Sequence, residues 1–171
     1  VLGSSNYVKK VVFPLEILPA IALGSAIFHT AISLLVLQFA YIAFTGIPPW
    51  TIILSPFVFF PLAVLALGVA WMLAALGVYL RDIGQFIGVI VTVLLFLSPI
   101  FFPIERLPED YRVLIMLNPL TFIIEQAREV LIWGRLPDWK GLAVYTFFSS
   151  AFAWLGYAWF QKTRKGFADV L

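Results

Sequence analysis

Polar and apolar residues alternate along this chain in long blocks, without the short period of a soluble amphipathic helix or strand. Residues 17–80 contain no Asp, Glu, Lys or Arg, and His29 is the only side chain there that could charge near neutral pH. At about 1.5 Å of rise per helical residue, this stretch could cross a hydrocarbon layer of about 30 Å more than twice. The pattern predicts an all-α protein that lies in a membrane.

Breaks between the apolar blocks predict four membrane-spanning helices. Residues 45–50 contain a glycine and two prolines, which should end the first helix, and Pro19 should break the chain before it. The charged pair Arg81-Asp82 ends the second block, and residues 83–104 are again uncharged. We therefore expect spans at residues 21–44, 52–80, 83–102 and 141–160, with the second span bent or tilted by its prolines.

Residues 103–134 mix charged and apolar residues between the third and fourth spans. Their uncharged stretch at 113–124 is too short to cross a bilayer, and Asn118-Pro119 interrupts it. This predicts two short re-entrant helices on the extracytoplasmic side, with Asn118-Pro119 as the turn between them. The second helix should be amphipathic, with Glu125, Arg128 and Glu129 on one face and Phe122, Ile123, Ala127 and Val130 on the other.

The distribution of basic residues predicts the orientation. With four crossings, residues 1–19, the Arg81 loop and the tail at 161–171 lie on one side of the membrane. That side carries six basic and three acidic residues, whereas the other carries five basic and six acidic. Because basic residues favour the cytoplasmic side, we expect the C-terminal tail in the cytoplasm and one transmembrane domain over residues 1–171.

The composition argues against several classes of function. Hydrophobic residues make up 63% of the chain, charged residues 12%, and the mean hydropathy is +1.03. With no cysteine and one histidine, we expect no bound metal ion. The chain lacks the Gly-x-x-x-x-Gly-Lys-Ser/Thr phosphate loop, so ATP should be handled elsewhere. We expect no catalytic residue, no bound cofactor and no nucleic-acid partner.

Polar and aromatic residues inside the spans could line a path. His29 shares a helix face with Ser25 and Ser33, but no nearby acid would orient it for catalysis. Aromatic rings, 17% of the chain, could let the apolar faces of sugar rings slide past. We name His29, Tyr41 and Phe96 as candidate channel-lining residues. Glycines at 68, 77, 84 and 88 are predicted to be points of close helix packing.

Residues 6–16 form a basic, amphipathic segment that two prolines separate from the first span. One interpretation is a helix that lies in the lipid headgroup layer with its lysines toward anionic lipid. The other is a docking element for a cytoplasmic partner. The residues themselves favour neither.

Five segments, taken in order, resemble a known family. They read VKKVVFPLEILP, VYLRDIGQ, LSPIFFPIERLP, LNPLTFIIEQAREVLIWG and KTRKGFADVL. Together they resemble the permease subunit of bacterial polysaccharide exporters of the ATP-binding-cassette class, which export O-antigen, teichoic acid or capsule. The family normally has six membrane helices, so this chain is expected to be its last two thirds.

The resemblance implies a complex in the bacterial inner membrane. Two permeases would pair with two nucleotide-binding subunits, which carry ATP and Mg²⁺, and pass a polysaccharide linked to polyprenyl diphosphate through the lipid bilayer. The implied ATPase-coupling residues are Asn6, Lys9, Lys10, Phe13, Pro14, Glu16, Arg81 and Asp82. The implied gate at the outer mouth contains Pro99, Phe101, Phe102, Asn118, Pro119, Glu125 and Arg128.

Three alternatives stay open. An exporter of drugs or small lipids from the same superfamily would share the gate pattern. A membrane-embedded enzyme would need acids at one membrane face, for which Glu105, Glu109 and Asp110 are the candidates. A passive channel would conduct without ATP.

Overall fold

The computed structural model describes residues 15–80, 82–100, 104, 108, 112 and 115–167. Regular structure in these residues is entirely helical, which confirms the all-α prediction for this part of the chain. The α-helices are α1 (Ile17–Phe44), α2 (Ser55–Tyr79), α3 (Ile83–Phe96), α4 (Pro119–Arg128) and α5 (Trp139–Thr163). Short 3₁₀-helices precede α2 (Trp50–Leu54) and follow α5 (Arg164–Gly166), and a π-helical turn (Glu129–Trp133) extends α4.

Helices α2 and α5 pack side by side and run in the same direction. Val58 and Leu142, near their first turns, share one buried cluster, whereas Val78 and Phe160, near their last turns, share another. Midway, a Cβ added to Gly68 would lie 2.7 Å from the Cα of Ala153, so the glycine lets the two backbones approach closely. We call the two extremities of this pair the Thr51 end and the Tyr79 end.

Helix α1 covers one side of α2 and leaves a gap. A cavity of about 370 Å³ separates the two helices, lined by Leu23, Ile27 and Leu34 of α1 and by Phe59, Leu62 and Ala66 of α2. The outer face of α1 is apolar and exposed, with Phe39 71% and Phe28 65% accessible. None of the residues of α3 is buried. Apolar surfaces of this kind suit lipid or a neighbouring membrane helix.

Two segments are long and apolar enough to cross a membrane, Ile17–Phe44 with 28 residues and Trp50–Tyr79 with 30. Helix α5 has 25 residues. Helix α3 has 14 residues and a length of about 21 Å, less than the hydrocarbon thickness. The count of four spans therefore stays a prediction.

Two helix ends differ from the predicted limits of the spans. Helix α1 begins at Ile17, not at residue 21, and Pro19 lies in its first turn, where the missing N–H has no intrahelical partner to lose. Helix α3 ends at Phe96, before the predicted limit of residue 102. Ser98 and Pro99 lie in the turn that follows, because a proline cannot donate the backbone bond that would continue the helix. The first predicted re-entrant helix lies mostly outside the described residues.

Candidate gate and coupling sites

Buried polar groups join the end of α3 to the start of α4. Ser98 Oγ donates to the Leu94 carbonyl oxygen at 2.6 Å. Asn118 Nδ2 donates to Ser98 Oγ at 2.9 Å and to the same Leu94 oxygen at 3.2 Å. Both Ser98 and Asn118 are buried. The carbonyl that α3 leaves unpaired at its end is therefore satisfied by two side chains.

Asn118 also begins α4. Its Oδ1 accepts a hydrogen bond from the Leu120 backbone N–H at 2.9 Å, while Pro119 takes the first helical position. Asn is a favoured N-cap residue, and a proline at the next position loses no intrahelical bond. One amide thus binds the end of α3 and caps α4; its role as a turn between two re-entrant helices stays a prediction.

Arg128 provides the second link between α4 and α3. Its Nη1 lies 2.5 Å from Glu125 Oε1, and its Nη2 donates to the Pro99 carbonyl oxygen at 2.6 Å. The Arg128 and Glu125 side chains are 20% and 25% exposed. If the bond to Pro99 broke, the guanidinium would keep its carboxylate partner and would not become an isolated charge.

We call Leu94, Ser98, Pro99, Asn118, Glu125 and Arg128 the gate cluster. The structure therefore brings together most of the residues predicted for the gate, including Pro119. Phe101 and Phe102 lie outside the described residues.

Sequence reasoning missed Thr51, whose Oγ1 donates to the Val130 carbonyl at 2.6 Å, and Tyr145, whose hydroxyl donates to the Pro119 carbonyl at 2.9 Å. Both partners are distant in sequence, so no local pattern indicates them.

An aromatic groove lies beside the gate cluster at the Thr51 end. The rings of Phe122 and Tyr145 stack with centroids 5.9 Å apart and an interplanar angle of 20°. Phe148 and Val144 line the same groove, whose volume is about 440 Å³, and Lys140 lies at its wall. The groove offers apolar ring faces and one ammonium group.

Of the predicted coupling residues, Glu16 is the one whose side-chain contact the structure describes. Its Oε2 pairs with Arg164 Nη1 at 3.0 Å, and its backbone oxygen accepts a hydrogen bond from Trp71 Nε1 at 3.0 Å. Asp82 is exposed just before α3. The other predicted coupling residues lie outside the described residues: Asn6, Lys9, Lys10, Phe13, Pro14 and Arg81.

The C-terminal segment packs onto the Tyr79 end. Phe167 is 1% exposed and contacts the rings of Tyr79 and Phe160, with centroids 6.0 and 5.7 Å away. Tyr79 Oη donates to the Thr163 carbonyl at 3.0 Å, and Leu15 packs on the same cluster. We call Leu15, Glu16, Tyr79, Arg164 and Phe167 the tail clamp.

The predicted channel-lining residues are not brought together. His29 is exposed and meets only the edge of Phe28 among described rings, with centroids 6.2 Å apart. Tyr41 is half-buried, and Phe96 is 70% exposed at the end of α3. Within the described ranges, no hydrogen bond or ring contact joins these three. Their lining of one path stays a prediction.

Among the described residues, no side chain hydrogen-bonds to the His29 imidazole to form a catalytic pair. Ser33 Oγ donates to the His29 backbone oxygen at 3.0 Å and not to the imidazole. Among the residues that the structure describes, no group of three His, Asp or Glu side chains could hold a metal ion. Glu105, Glu109 and Asp110, the acids considered for an enzyme, lie outside the described ranges.

Comparisons with known proteins cover nearly the whole chain. A family model described as ABC-2 type transporter matches residues 1–132. The chain is 24% identical over 168 residues to the O-antigen export system permease protein RfbA of Myxococcus xanthus, an alignment of 97% of this chain and 65% of the relative. With RfbA of Klebsiella pneumoniae the identity is 23%, over 99% and 66%.

A further relative is the polysialic acid transport protein KpsM of Escherichia coli, 22% identical over 95% of this chain and 62% of the relative. The chain thus spans just under two thirds of the length of the curated relatives that it matches.

Proposed function

The chain belongs to the ABC-2 type transporter family, and from that premise we propose that it is the permease subunit of an ATP-driven polysaccharide exporter in a bacterial inner membrane. The observation that carries this proposal is the alignment of 95% or more of the chain with permeases named for O-antigen export or polysialic acid transport. Its long uncharged helices and the lack of a phosphate loop in the sequence agree with a membrane subunit whose ATP is hydrolysed by a partner.

The mechanism that we propose uses both ends of the α2–α5 pair. Closure of two nucleotide-binding subunits around ATP would push the coupling element at residues 1–19. Glu16 joins that element to the Tyr79 end. At the Thr51 end, Arg128 would exchange its bond to the Pro99 carbonyl for water while it stays paired with Glu125. Helix α3 would then separate from α4 and open the outer mouth.

The substrate path would run between this chain and a second copy. A polysaccharide attached to polyprenyl diphosphate would pass there, and aromatic faces such as those of the Phe122–Tyr145 groove would contact sugar rings without fixed hydrogen bonds. No cofactor is needed on this chain, because ATP and Mg²⁺ would bind to the partner subunits.

The test is loss and recovery of surface polysaccharide. Deletion of the full-length permease from the bacterium that encodes it should remove the polymer from the cell surface and leave lipid-linked polymer inside. Reintroduced permease should restore export only with a nucleotide-binding subunit that hydrolyses ATP. A partner variant without its phosphate-loop lysine is the matched control.

Other results would contradict this proposal. Normal surface polysaccharide, combined with lost resistance to a drug or lost export of a small lipid, would favour the other exporters of the family. Conductance of the purified permease without a nucleotide-binding subunit would favour a passive channel. Chemical turnover by the isolated subunit would favour an enzyme.

A further inference from the structure

We propose that the tail clamp positions the coupling element, so that the C-terminal segment transmits movement of residues 1–16 directly to α2 and α5. This inference rests on the proposed function, because it assumes that those residues receive a push from a partner. From the sequence, residues 161–171 are expected only to be a basic cytoplasmic tail. The structure adds that Arg164 pairs with Glu16, the residue before α1, and that Phe167 is buried in a cluster on which Leu15 also packs.

Three helices meet at Glu16. It is the residue that precedes α1, its carbonyl accepts the Trp71 indole N–H of α2, and its carboxylate pairs with Arg164 directly after α5. Glu16 and Arg164 are 148 positions apart in the chain. A force on the segment before Glu16 therefore reaches α2 and α5 through side chains without passing along α1.

Phe167 packs the C-terminal segment tightly against α2 and α5. Its ring fills the space between Tyr79 and Phe160 and leaves almost no exposed surface. A Cβ added to Gly166 would lie 2.7 Å from Tyr79 Oη, so the backbone itself is pressed against that phenol. Tyr79 is fixed in turn by its bond to the Thr163 carbonyl. Closely packed side chains move together, since separating them would open a void.

A charge exchange tests the ion pair. In the full-length permease reconstituted with its nucleotide-binding partner, Glu16→Arg and Arg164→Glu should each lower the amount exported per ATP hydrolysed roughly two- to five-fold, the range expected for a partly exposed pair. The double variant should recover most of the wild-type ratio. Lys162→Glu, an exposed charge in the same helix end, is the matched control and should keep that ratio. Equal ratios in wild type and both single variants would overturn the proposal.

Phe167 provides a test that does not depend on charge. Phe167→Ala should lower the ratio of export to ATP hydrolysis several-fold, and Phe167→Leu, which refills most of the volume, should recover much of it. Trp154→Ala, at a side chain that is 69% exposed on α5, is the control for a lost aromatic ring. A folded Phe167→Ala complex with wild-type coupling would contradict the inference. If that variant does not assemble, the charge exchange decides.

Cross-linking tests whether the clamp stays closed. Residues 1–171 contain no cysteine. In a complex whose remaining cysteines have been replaced, Glu16→Cys and Arg164→Cys can be joined by a short bismaleimide. A covalent link replaces the lost ion pair, so it should raise export per ATP above that of the unlinked double variant. Loss of the remaining export on cross-linking would show that the clamp must open, and would overturn the proposal.

Different results would contradict the proposed function and the role of the tail clamp. If the wild-type complex exports a small lipid in place of polysaccharide, the proposed function is wrong. The same ratios measured with that lipid still decide whether the tail clamp couples movement to export.

Discussion

Arg128 binds α4 to the turn after α3 through one charged hydrogen bond, to the Pro99 carbonyl. We expect Arg128→Ala to lower the free energy of unfolding by about 1–3 kcal/mol, because the Pro99 carbonyl and the Glu125 carboxylate both lose a charged partner. Thermal unfolding in detergent and hydrogen exchange of the α4 amides would measure the loss.

The matched control for this change is Arg135→Ala. Its nitrogen lies 3.6 Å from Glu129 Oε1 and its side chain is 71% exposed, so the loss should stay within about 0.5 kcal/mol. An equal effect of both substitutions would show that Arg128 is not an anchor of α4.

Asn118 acts both as a cap and as a bridge, and these roles can be separated by comparison with a residue that only caps. Asn118→Ala should cost about 2 kcal/mol, since α4 loses its N-cap and the Leu94 carbonyl and Ser98 hydroxyl lose a donor. Asp138→Ala removes only the cap of α5, an exposed bond to the Lys140 N–H, and should cost about 1 kcal/mol. Chemical unfolding of the two variants under the same conditions gives the comparison. A smaller loss at Asn118 than at Asp138 would argue against the bridge.

Local patterns predict residues whose partners are close in the chain. The Asn118-Pro119 turn follows from the preferences of those two residue types, and the spacing of Glu125 and Arg128 follows from helix geometry. The bond from Thr51 to the Val130 carbonyl and the burial of Phe167 depend on residues that only the folded chain brings near. No pattern of residue types along the sequence indicates such contacts.

At the scale of elements, the close approach of α2 and α5 depends on two glycines, Gly68 on α2 and Gly156 on α5. We expect Gly68→Ala to destabilise the fold by about 1–3 kcal/mol, because the new methyl group would press on the Ala153 backbone. Gly24→Ala is the control, since no heavy atom lies within 4 Å of the position of its Cβ. There the better helix propensity of alanine should leave stability unchanged or raised by up to about 1 kcal/mol. Midpoints of thermal unfolding in one detergent would show whether the two variants differ as expected.

The predicted packing glycines divide into two groups. Gly68 is a close contact, and its counterpart Gly156, which the sequence does not single out, would place a Cβ against the Gly68 carbonyl. For Gly84 and Gly88, no heavy atom of the described residues lies within 4 Å of the added Cβ atoms, so close packing there stays a prediction. A glycine in an apolar helix indicates that a close approach is allowed, but only the neighbouring helix decides whether one occurs.

For the molecule as a whole, the parallel α2–α5 pair constrains topology. Both helices run from the Thr51 end to the Tyr79 end, and the tail clamp brings residues 15 and 16 to that same end. If the Tyr79 end is cytoplasmic, as the basic residues predict, residue 135 faces the outside and residue 162 the cytoplasm.

Single cysteines would test this orientation in intact cells. A membrane-impermeant maleimide should label Arg135→Cys in the full-length permease within minutes, because the side chain is exposed and the predicted orientation places it outside the cytoplasm. Lys162→Cys should react only after the membrane is permeabilised. Labelling of Lys162→Cys alone in intact cells would reverse the orientation.

The sequence predicts the class of the molecule better than its assembly. Long uncharged blocks predict apolar helices, two of which are long enough to cross a membrane, and prolines and charges place the breaks within a few residues. Helix α3 ends before the predicted span limit of residue 102, because Pro99 cannot continue the helix. The bonds that Asn118 and Arg128 make to this end are missed, because both residues lie later in the chain and no local pattern indicates the contact. The tail clamp is missed for the same reason.

The parallel pairing of α2 and α5 also sets an order for biogenesis. A ribosome releases the chain from its N-terminus, so α2 enters the bilayer well before α5 has been translated. Until Ala153 emerges, the face of α2 at Gly68 has no contact from α5. The contact between α2 and α5 is therefore made after α2 has been inserted, and a nascent chain that stalls before α5 has α1 packed on α2 but leaves the Gly68 face of α2 without its partner.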